Sequence, residues 1–214
     1  MKIVVTGSLG HISKPLTKEL IEKGHDVTVI SSKADKQAEI EALGAKAAIG
    51  SLEDVDFLTA TFTGADAVYA MIHPANYFDH SLDLHAYFTR LGANYAEALQ
   101  QANVKHVVNL STIGGHLAKG NGILANAHEV ENILNELPAD VSITHMRPTS
   151  FFYNLFAHAH SIQNENRIAT NLWRGRYYPM GIANRYCISR GRRNCYAGQW
   201  PQSTLCMQRR TYRC

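Results

Sequence analysis

This sequence of 214 residues lacks several features that are typical of membrane, secreted or disulfide-rich proteins. It has no apolar run long enough to cross a bilayer. Polar Thr6, Gly7 and Ser8 interrupt the first apolar stretch, so no secretory signal is predicted. Residues 1–172 contain no cysteine, which leaves no disulfide framework there. We therefore expect a cytoplasmic protein without a membrane segment, built as one domain or as one domain with an appendage.

The last 42 residues lack lysine and acidic residues instead. Residues 173–214 hold nine arginines, both tryptophans and all four cysteines, whereas residues 1–172 hold 12 Lys and Arg against 18 Asp and Glu. The formal net charge of +3 thus combines −6 for the first part with +9 for the second. Gaps of seven, ten and seven residues between the cysteines match no zinc-ligand spacing, so no metal site is predicted.

Residues 1–172 alternate short apolar runs with amphipathic segments. The runs typical of strands are KIVVT, DVTVI, AKAAI, ADAVYAMI, VKHVVNL and VSITHM. The segments typical of helices are residues 13–23, 34–43, 53–62, 80–102 and 123–137. This alternation predicts an α/β fold, a Rossmann-type doubly wound parallel sheet with strand order 3-2-1-4-5-6. In such a sheet the ligand crevice lies at the carboxyl ends of the strands.

The first strand–helix junction reads GSLGHIS. Gly7 permits a sharp turn, Gly10 permits a close approach to a diphosphate, and the helix that follows offers free amides and a positive dipole end. Ser13 stands where a third glycine is usual; it is small enough to substitute and could also cap the helix. The predicted diphosphate-binding residues are Gly7, Ser8, Leu9, Gly10, His11 and Ile12. A glycine-bearing turn that binds no ligand is the alternative.

Strand two ends without an acidic residue. A carboxylate there would bind the ribose 2′-hydroxyl of NAD, whereas Ser31, Ser32 and Lys33 offer two hydroxyls and an ammonium. That chemistry suits a 2′-phosphate and favours NADP over NAD, with a solvated loop as the alternative. Two further groups are predicted to line the cofactor, the first flanking the adenine and the second running beside the dinucleotide: Ser51 and Leu52, and Met71, Ile72 and His73.

Three segments carry a resemblance to a known family: TGSLGHIS, VKHVVNLSTIG, and AHEVENILNEL followed by VSITHMRPTSFFYNL. Together they resemble the atypical short-chain dehydrogenases of the NmrA-like, NAD(P)H-binding group, which includes quinone-oxidoreductase-like members. Arg147, Pro148 and Asn154 fall at matching places, and the resemblance covers most of residues 1–172. It implies an oxidoreductase acting on a quinone or small carbonyl compound. Because other members bind the dinucleotide as sensors, a non-catalytic regulator with a protein partner is the alternative.

The sequence departs from typical short-chain dehydrogenases because it contains no Tyr-x-x-x-Lys pair. On the expected helix, His128 could transfer protons near neutral pH. Ser111, at the end of strand five, could hydrogen-bond a carbonyl oxygen. An ordinary surface or loop role is the alternative for both residues. We expect the nicotinamide near Ile72, Ser111 and Thr112, and the substrate, a small molecule, against residues 147–154.

The tail from Trp173 onward breaks the alternating pattern. If its codons are read one base later, with permitted synonymous choices, WRGRYYPMGIANRYCISRGRR becomes GGDDIIPWVSPIDIASAVAE. The shifted string restores acidic residues and an amphipathic helix. We hypothesise that residues 173–214 are translated out of frame, which predicts a truncated substrate lobe and a poorly ordered tail. An arginine-rich arm that binds nucleic acid is the less favoured alternative.

Sequencing the coding DNA tests this hypothesis. We expect the coding DNA to carry, near the codon for Trp173, an insertion or deletion that close relatives lack. Correcting this change should restore the shifted reading frame. An intact frame shared with those relatives would contradict it.

Overall fold

The structure is a computed structural model that describes residues 1–73, 79, 81–165 and 180–181. Six strands of this part form one parallel sheet: β1 (Lys2–Val5), β2 (Asp26–Ser31), β3 (Lys46–Ile49), β4 (Ala67–Ala70), β5 (His106–Leu110) and β6 (Ser142–Met146). Their order is β3-β2-β1-β4-β5-β6. The predicted Rossmann-type α/β fold and its strand order are therefore confirmed.

The helices of the described part lie between and after these strands. They are α1 (Ser13–Glu22), α2 (Gln37–Ala42), α3 (Val55–Phe62), α4 (Leu84–Gln101), α5 (Ala125–Asn135) and α6 (Ala159–Glu165). Three 3₁₀ helices accompany them: Ala34–Lys36, Gly122–Leu124 and Phe152–His158. Within the described segments, no helix combines the length and the apolar character needed to span a membrane.

Two helical layers bury the sheet. Because neighbouring residues of a strand point to opposite faces, Val4, Val68 and Val107 pack against α3, α4 and α5 on one side. Ile3 and Val5 face α1 and α2 on the other side. Strands covered on both faces are continuous apolar runs, which is the pattern that KIVVT and AVYA show in the sequence.

Local capping groups fix several helix ends. Helix α4 begins at Leu84, four residues after the predicted start, because an Asp83 carboxylate oxygen accepts a hydrogen bond from the amide of Ala86 at 3.0 Å. Helix α1 ends before Gly24, whose φ of +77° lets its amide donate to the carbonyl of Ile21 at 2.8 Å. The Asp83 cap thus ends the loop that follows β4, at the carboxyl edge of the sheet, and the Gly24 turn leads into the amino end of β2.

The predictions for the tail fall largely outside the described residues. Of residues 173–214 the structure describes Met180–Gly181, which form β8 and pair in parallel with β7 (Ser150–Phe151). The predicted disorder of the tail and the boundary at residue 172 therefore stay predictions.

Candidate functional site

The turn between β1 and α1 lies at the carboxyl edge of the sheet, and Gly7 is its most confined residue. Its φ is +88°, and a Cβ atom there would lie 2.6 Å from Oγ of Ser13 and 2.7 Å from Sδ of Met71. No larger residue fits this position without displacing its neighbours. The backbone of the turn thus passes directly between the start of α1 and the end of β4.

Ser13 takes the position predicted for a third glycine. Its side chain is buried, and its hydroxyl donates to the carbonyl of Thr6 at 2.8 Å. The expectation that Ser13 caps α1 is wrong, because Ile12 is the N-cap residue and provides no side-chain cap. The expectation that a small residue suffices here fits the structure, since the serine hydroxyl joins the helix to the end of β1.

Backbone amides line the outer side of the turn. The amide of Ser8 donates to the carbonyl of Ile30 at 3.1 Å, and that of Gly10 donates to the carbonyl of Gly7 at 3.2 Å. Among the described residues, the amides of Leu9, His11 and Ile12 have no backbone acceptor. Free amides in the turn that leads into a helix, together with the helix dipole, make a site for an anion such as a diphosphate.

The end of β2 is joined to this turn through Ser31. The hydroxyl of Ser8 donates to Oγ of Ser31 at 2.9 Å, and the amide of Lys33 donates to the same oxygen at 3.2 Å. Ser31 is buried, whereas Ser32 and Lys33 are exposed. Ser31 therefore holds the two loops together, and the exposed pair faces the solvent at the predicted 2′-phosphate position.

Lys33 differs from the lysines around it in having no ion pair within the described residues. Lys14 and Lys36 both bind the Glu39 carboxylate, at 2.7 and 3.0 Å. Hydrogen bonds from Lys14 and then Lys36 lower the pKa of Glu39. Because Lys14 and Lys36 share the Glu39 carboxylate, Lys33 differs from them as an exposed ammonium at the end of β2 with no ion pair among the described residues.

The loops after β3 and β4 reach the same edge. The amide of Gly50 donates to the carbonyl of Ser31 at 3.0 Å, which brings exposed Ser51 and half-buried Leu52 beside the end of β2. The side-chain amide of Asn94 donates to the carbonyl of Leu52 at 3.1 Å and fixes this loop on α4. The predicted adenine-flanking pair is thus next to the predicted phosphate group.

Met71 is fixed by hydrogen bonds at both of its backbone groups. Its amide donates to Oγ1 of Thr6 at 2.8 Å, and its carbonyl accepts from the hydroxyl of Tyr95 at 2.8 Å. Burial raises the pKa of Tyr95, so that this phenol remains a donor. Half-buried Ile72 follows, and the Tyr87 hydroxyl lies 3.0 Å from Nε2 of His73. Of these three residues, Met71 lies against Gly7, whereas Ile72 packs with the core layer of α3, α4 and α5 and His73 contacts Tyr87 of α4.

A buried polar network follows β5. Ser111 donates a hydrogen bond to Glu131, and Nε of Arg147 donates to the same carboxylate at 2.8 Å. The three residues are 8%, 3% and 7% exposed. Burial raises the pKa of Glu131, but hydrogen bonds from Arg147 and Ser111 outweigh it and hold this pKa below its usual value. Glu131 was not among the site residues predicted from the sequence.

The loop after β5 closes over this network. A Cβ atom on Gly115 would lie 2.6 Å from Oγ of Ser111 and 2.7 Å from Oε1 of Glu131. The Gly115 carbonyl lies 2.9 Å from Nδ1 of His128, and because a carbonyl only accepts, Nδ1 carries the proton. The Ser111 proton is thus directed at Glu131, and the catalytic roles of Ser111 and His128 stay predictions.

The segment after β6 returns to the glycine turn through aromatic rings. The ring of Tyr153 stacks on that of His11 with 4.5 Å between centroids and 28° between planes. Tyr153 also stacks on Phe151, with 5.2 Å between centroids and 14° between planes. The region predicted to face the substrate therefore contacts the region predicted to bind the cofactor.

Comparisons with known proteins agree with the fold. A family model described as NAD(P)H-binding matches residues 7–154, more than half of the chain. The fold is similar to that of Citrobacter sp. triphenylmethane reductase complexed with NADP(H), with a TM-score of 0.66 and 16% identity over 80% of this chain and 57% of that one. It is also similar to an Escherichia coli NADPH-dependent quinone oxidoreductase complexed with NADPH, with a TM-score of 0.61 and 18% identity over 77% of this chain and 54% of that one.

A curated relative is an uncharacterized protein of Schizosaccharomyces pombe, 33% identical over 99 residues, which are 46% of this chain and 32% of that protein. The chain therefore spans about a third of the yeast protein and little more than half of the two reductases. At the identities of the solved structures, the likeness shows the shared fold.

Replacing Gly7 by alanine should disable the turn. The added methyl would meet Ser13 and Met71 and would strain a positive φ, so we expect a loss of about 2–4 kcal/mol in the free energy of unfolding and at least about tenfold weaker dinucleotide binding. Gly64→Ala is the control, because Gly64 has a φ of +75° with nothing within 4 Å. Urea unfolding and nucleotide titration measure both effects; equal losses in the two variants would contradict the steric account.

Replacing Glu131 by glutamine should leave Arg147 buried without its charged partner. We expect a loss of about 3–5 kcal/mol in the free energy of unfolding. Glu53→Gln, which breaks the exposed pair between Glu53 and Arg90, should cost at most about 1 kcal/mol. Urea unfolding of both variants makes the comparison, and a cost for Glu131→Gln as small as that of the control would refute the buried network.

The network of Ser111, Glu131 and Arg147 predicts that the free energy of unfolding depends on pH. Because the folded pKa of Glu131 is lowered, its contribution is complete above the unfolded pKa of about 4.3 and is lost as the pH falls through the folded value. On acidification from about pH 7 to about pH 3, the wild type should lose more stability than Glu131→Gln. Parallel pH profiles of the two proteins would show that Glu131 is not the titrating group.

Proposed function

The chain belongs to the NAD(P)H-binding family, and we propose that it is an NADPH-dependent oxidoreductase that reduces a quinone or a small carbonyl compound. The observation that carries this proposal is the glycine turn. Gly7 lies against Ser13 and Met71, and the amides of Leu9 and His11 have no backbone acceptor among the described residues. A dinucleotide diphosphate satisfies such amides and is favoured by the helix dipole.

The preference for NADPH rests on the end of β2. Ser31, Ser32 and Lys33 provide no carboxylate to accept from a ribose 2′-hydroxyl, and Lys33 is exposed without an ion pair within the described residues. A 2′-phosphate would pair with this ammonium and accept from the hydroxyl of Ser32. The two reductases of similar fold are complexed with NADP(H) and NADPH, which supports the same choice for this chain.

The redox step needs a hydride and a proton. NADPH supplies the hydride, and we assign the nicotinamide to the edge near Ile72, Ser111 and Thr112, with the acceptor against residues 147–154. Because Nδ1 of His128 is held by the Gly115 carbonyl, a protonated His128 would deliver its proton from Nε2. Ser111, whose hydroxyl donates to the Glu131 carboxylate, would position the loop between Ser111 and His128.

The proposal also includes the origin of residues 173–214. The change at about Trp173, from a mixed composition to nine arginines without a lysine or an acidic residue, supports out-of-frame translation of residues 173–214. On this reading residues 1–172 form the dinucleotide-binding domain and the substrate lobe is incomplete. Turnover by this chain would then be weaker than turnover by a version with the frame restored.

A fluorescence titration with NADPH and NADH tests the cofactor assignment. We expect NADPH to bind more tightly than NADH, and Lys33→Ala to weaken NADPH binding by about three- to tenfold while leaving NADH unaffected. Lys105→Ala is the control, because it removes the same charge from an exposed pair with Asp140, beyond the amino end of β5. Equal effects of Lys33→Ala on both nucleotides would contradict the 2′-phosphate contact.

Oxidation of NADPH in the presence of a panel of quinones and small carbonyl compounds tests the reaction. Steady loss of NADPH that depends on one of these acceptors is the expected result. Tight binding without oxidation, in this chain and in a version with the frame restored, would favour a dinucleotide-sensing regulator instead.

A further inference from the structure

We propose that Asn121 is a site of spontaneous deamidation, and that conversion of its amide to a carboxylate releases the loop of residues 112–124 from the buried pair of Ser111 and Glu131. The site lies in the loop that follows β5, outside the residues assigned to the dinucleotide. The modification does not depend on the proposed function, because it involves no nucleotide and no hydride acceptor.

The sequence around Asn121 favours this reaction. Asn121 is followed by Gly122, and the two form the only Asn-Gly pair among the 214 residues. Deamidation begins when the backbone nitrogen of the next residue attacks the side-chain carbonyl carbon of an asparagine. A side chain on that next residue hinders the approach, and glycine has none. Asn121 is therefore the asparagine of this chain whose following residue hinders the attack least.

The backbone at Gly122 leaves the attacking nitrogen accessible. Gly122 is exposed, and its φ of +59° lies in the left-handed region that favours glycine. A Cβ atom built there would meet nothing within 4 Å beyond its chain neighbours in the described part of the chain. Among the described residues, the Gly122 amide donates to no backbone carbonyl. Both this nitrogen and solvent water can therefore take part in the reaction.

The reaction consumes water and releases ammonia. After its proton passes to solvent, the Gly122 nitrogen forms a bond to Cγ of Asn121. The bond between Cγ and Nδ2 then breaks, and Nδ2 leaves as ammonia. Water opens the resulting succinimide at either carbonyl carbon, which gives aspartate or isoaspartate. The amide and water thus become a carboxylate and ammonium, and no oxidant, reductant or cofactor takes part.

The amide form of Asn121 holds the loop closed. Its Nδ2 donates to the carbonyl of Gly114 at 3.0 Å and to that of Leu117 at 2.9 Å. Gly114 and Gly120 have φ values of +79° and +83°, so the loop depends on backbone conformations that favour glycine. Because the two hydrogen bonds hold Nδ2, the loop must open before ammonia leaves. The folded protein should therefore convert more slowly than a free peptide.

A carboxylate at this position destabilises the closed loop. An ionised carboxylate only accepts, and the carbonyls of Gly114 and Leu117 also only accept, so both hydrogen bonds are lost. Oδ1 of Asn121 is already buried without a hydrogen-bond partner in the part of the chain that the structure describes. Because a buried carboxylate without a donor is costly, conversion shifts the loop towards the open form.

Opening of the loop changes the surroundings of both residues predicted to be catalytic. A Cβ atom on Gly115 would lie 2.6 Å from Oγ of Ser111, and the Gly115 carbonyl lies 2.9 Å from Nδ1 of His128. When the loop opens, His128 loses this acceptor, and water reaches the hydrogen bond between Ser111 and Glu131. Deamidation of Asn121 thus acts on the network that follows β5 from outside it.

Peptide mapping by mass spectrometry tests the modification. During incubation of the purified chain in mildly alkaline buffer, Asn121 should become aspartate and isoaspartate faster than any other asparagine. Gly122→Ala is the matched variant, because its methyl group hinders the attacking nitrogen and should slow conversion by at least about tenfold. A synthetic peptide of residues 117–126 is the reference. The inference is overturned if this peptide converts while Asn121 of the protein stays an amide, or if Gly122→Ala converts as fast as the wild type.

Hydrogen exchange tests the release of the loop. In the closed loop, the amide of Leu117 donates to the carbonyl of Gly114 at 2.9 Å. In Asn121→Asp this amide should exchange at least about tenfold faster than in the wild type. Asn103→Asp is the control, because it adds the same charge at an exposed position after α4 and should leave exchange at Leu117 unchanged.

The same amide is then followed in aged wild-type protein, which folded before conversion, so the result does not depend on the folding of a variant. The converted fraction should exchange faster at Leu117 than the unconverted fraction, and equal exchange in the two overturns the release of the loop. Neither measurement uses a nucleotide. Failure here therefore leaves the proposed function standing, and a chain that binds no NADPH leaves this inference standing.

Discussion

The whole site depends on one close contact, at the point where the first strand ends. Gly7 leaves no room for a side chain between Ser13 and Met71, and the hydroxyl of Ser13 holds the start of α1 on the carbonyl of Thr6. This packing sets where the helix begins and therefore where its free amides point. The same parallel geometry brings the ends of β2, β3, β4 and β5 to this edge, so each loop that follows a strand becomes part of one surface.

The fold could be predicted because its signals are local and repeated. Buried parallel strands are continuous apolar runs, and each helical stretch carries apolar residues at helical spacing, so element type and order follow from the pattern. The predicted and observed helices differ at their ends. Helix α4 starts at Leu84 because the Asp83 carboxylate accepts an amide there, and the predicted helix over 34–43 divides into a 3₁₀ turn and α2. Such ends are decided by single hydrogen bonds.

The site was predictable only where one segment contains the whole motif. The glycine turn and the Ser31–Lys33 stretch were found because their chemistry is contiguous. The Glu131–Arg147 pair joins a helix to the end of a strand, and its only trace in the sequence is an acid beside Val130 on the buried side of α5. The contact of Tyr153 with His11 is hidden in the same way, because tertiary packing alone brings the two rings together.

The two halves of the sheet thus play different physical parts. The half around β1 and β2 offers to an anion the amides of the glycine turn and the ammonium of Lys33, which has no ion pair in the described part of the chain. The half around β5 and β6 is held by the buried network of Glu131. The central claim is that the amides of Leu9, His11 and Ile12 hold a diphosphate. A crystal structure with NADPH tests it most directly: the account predicts phosphate oxygens at hydrogen-bonding distance, about 3 Å, from these amides. A dinucleotide bound elsewhere, with these amides directed away from it, would contradict the account.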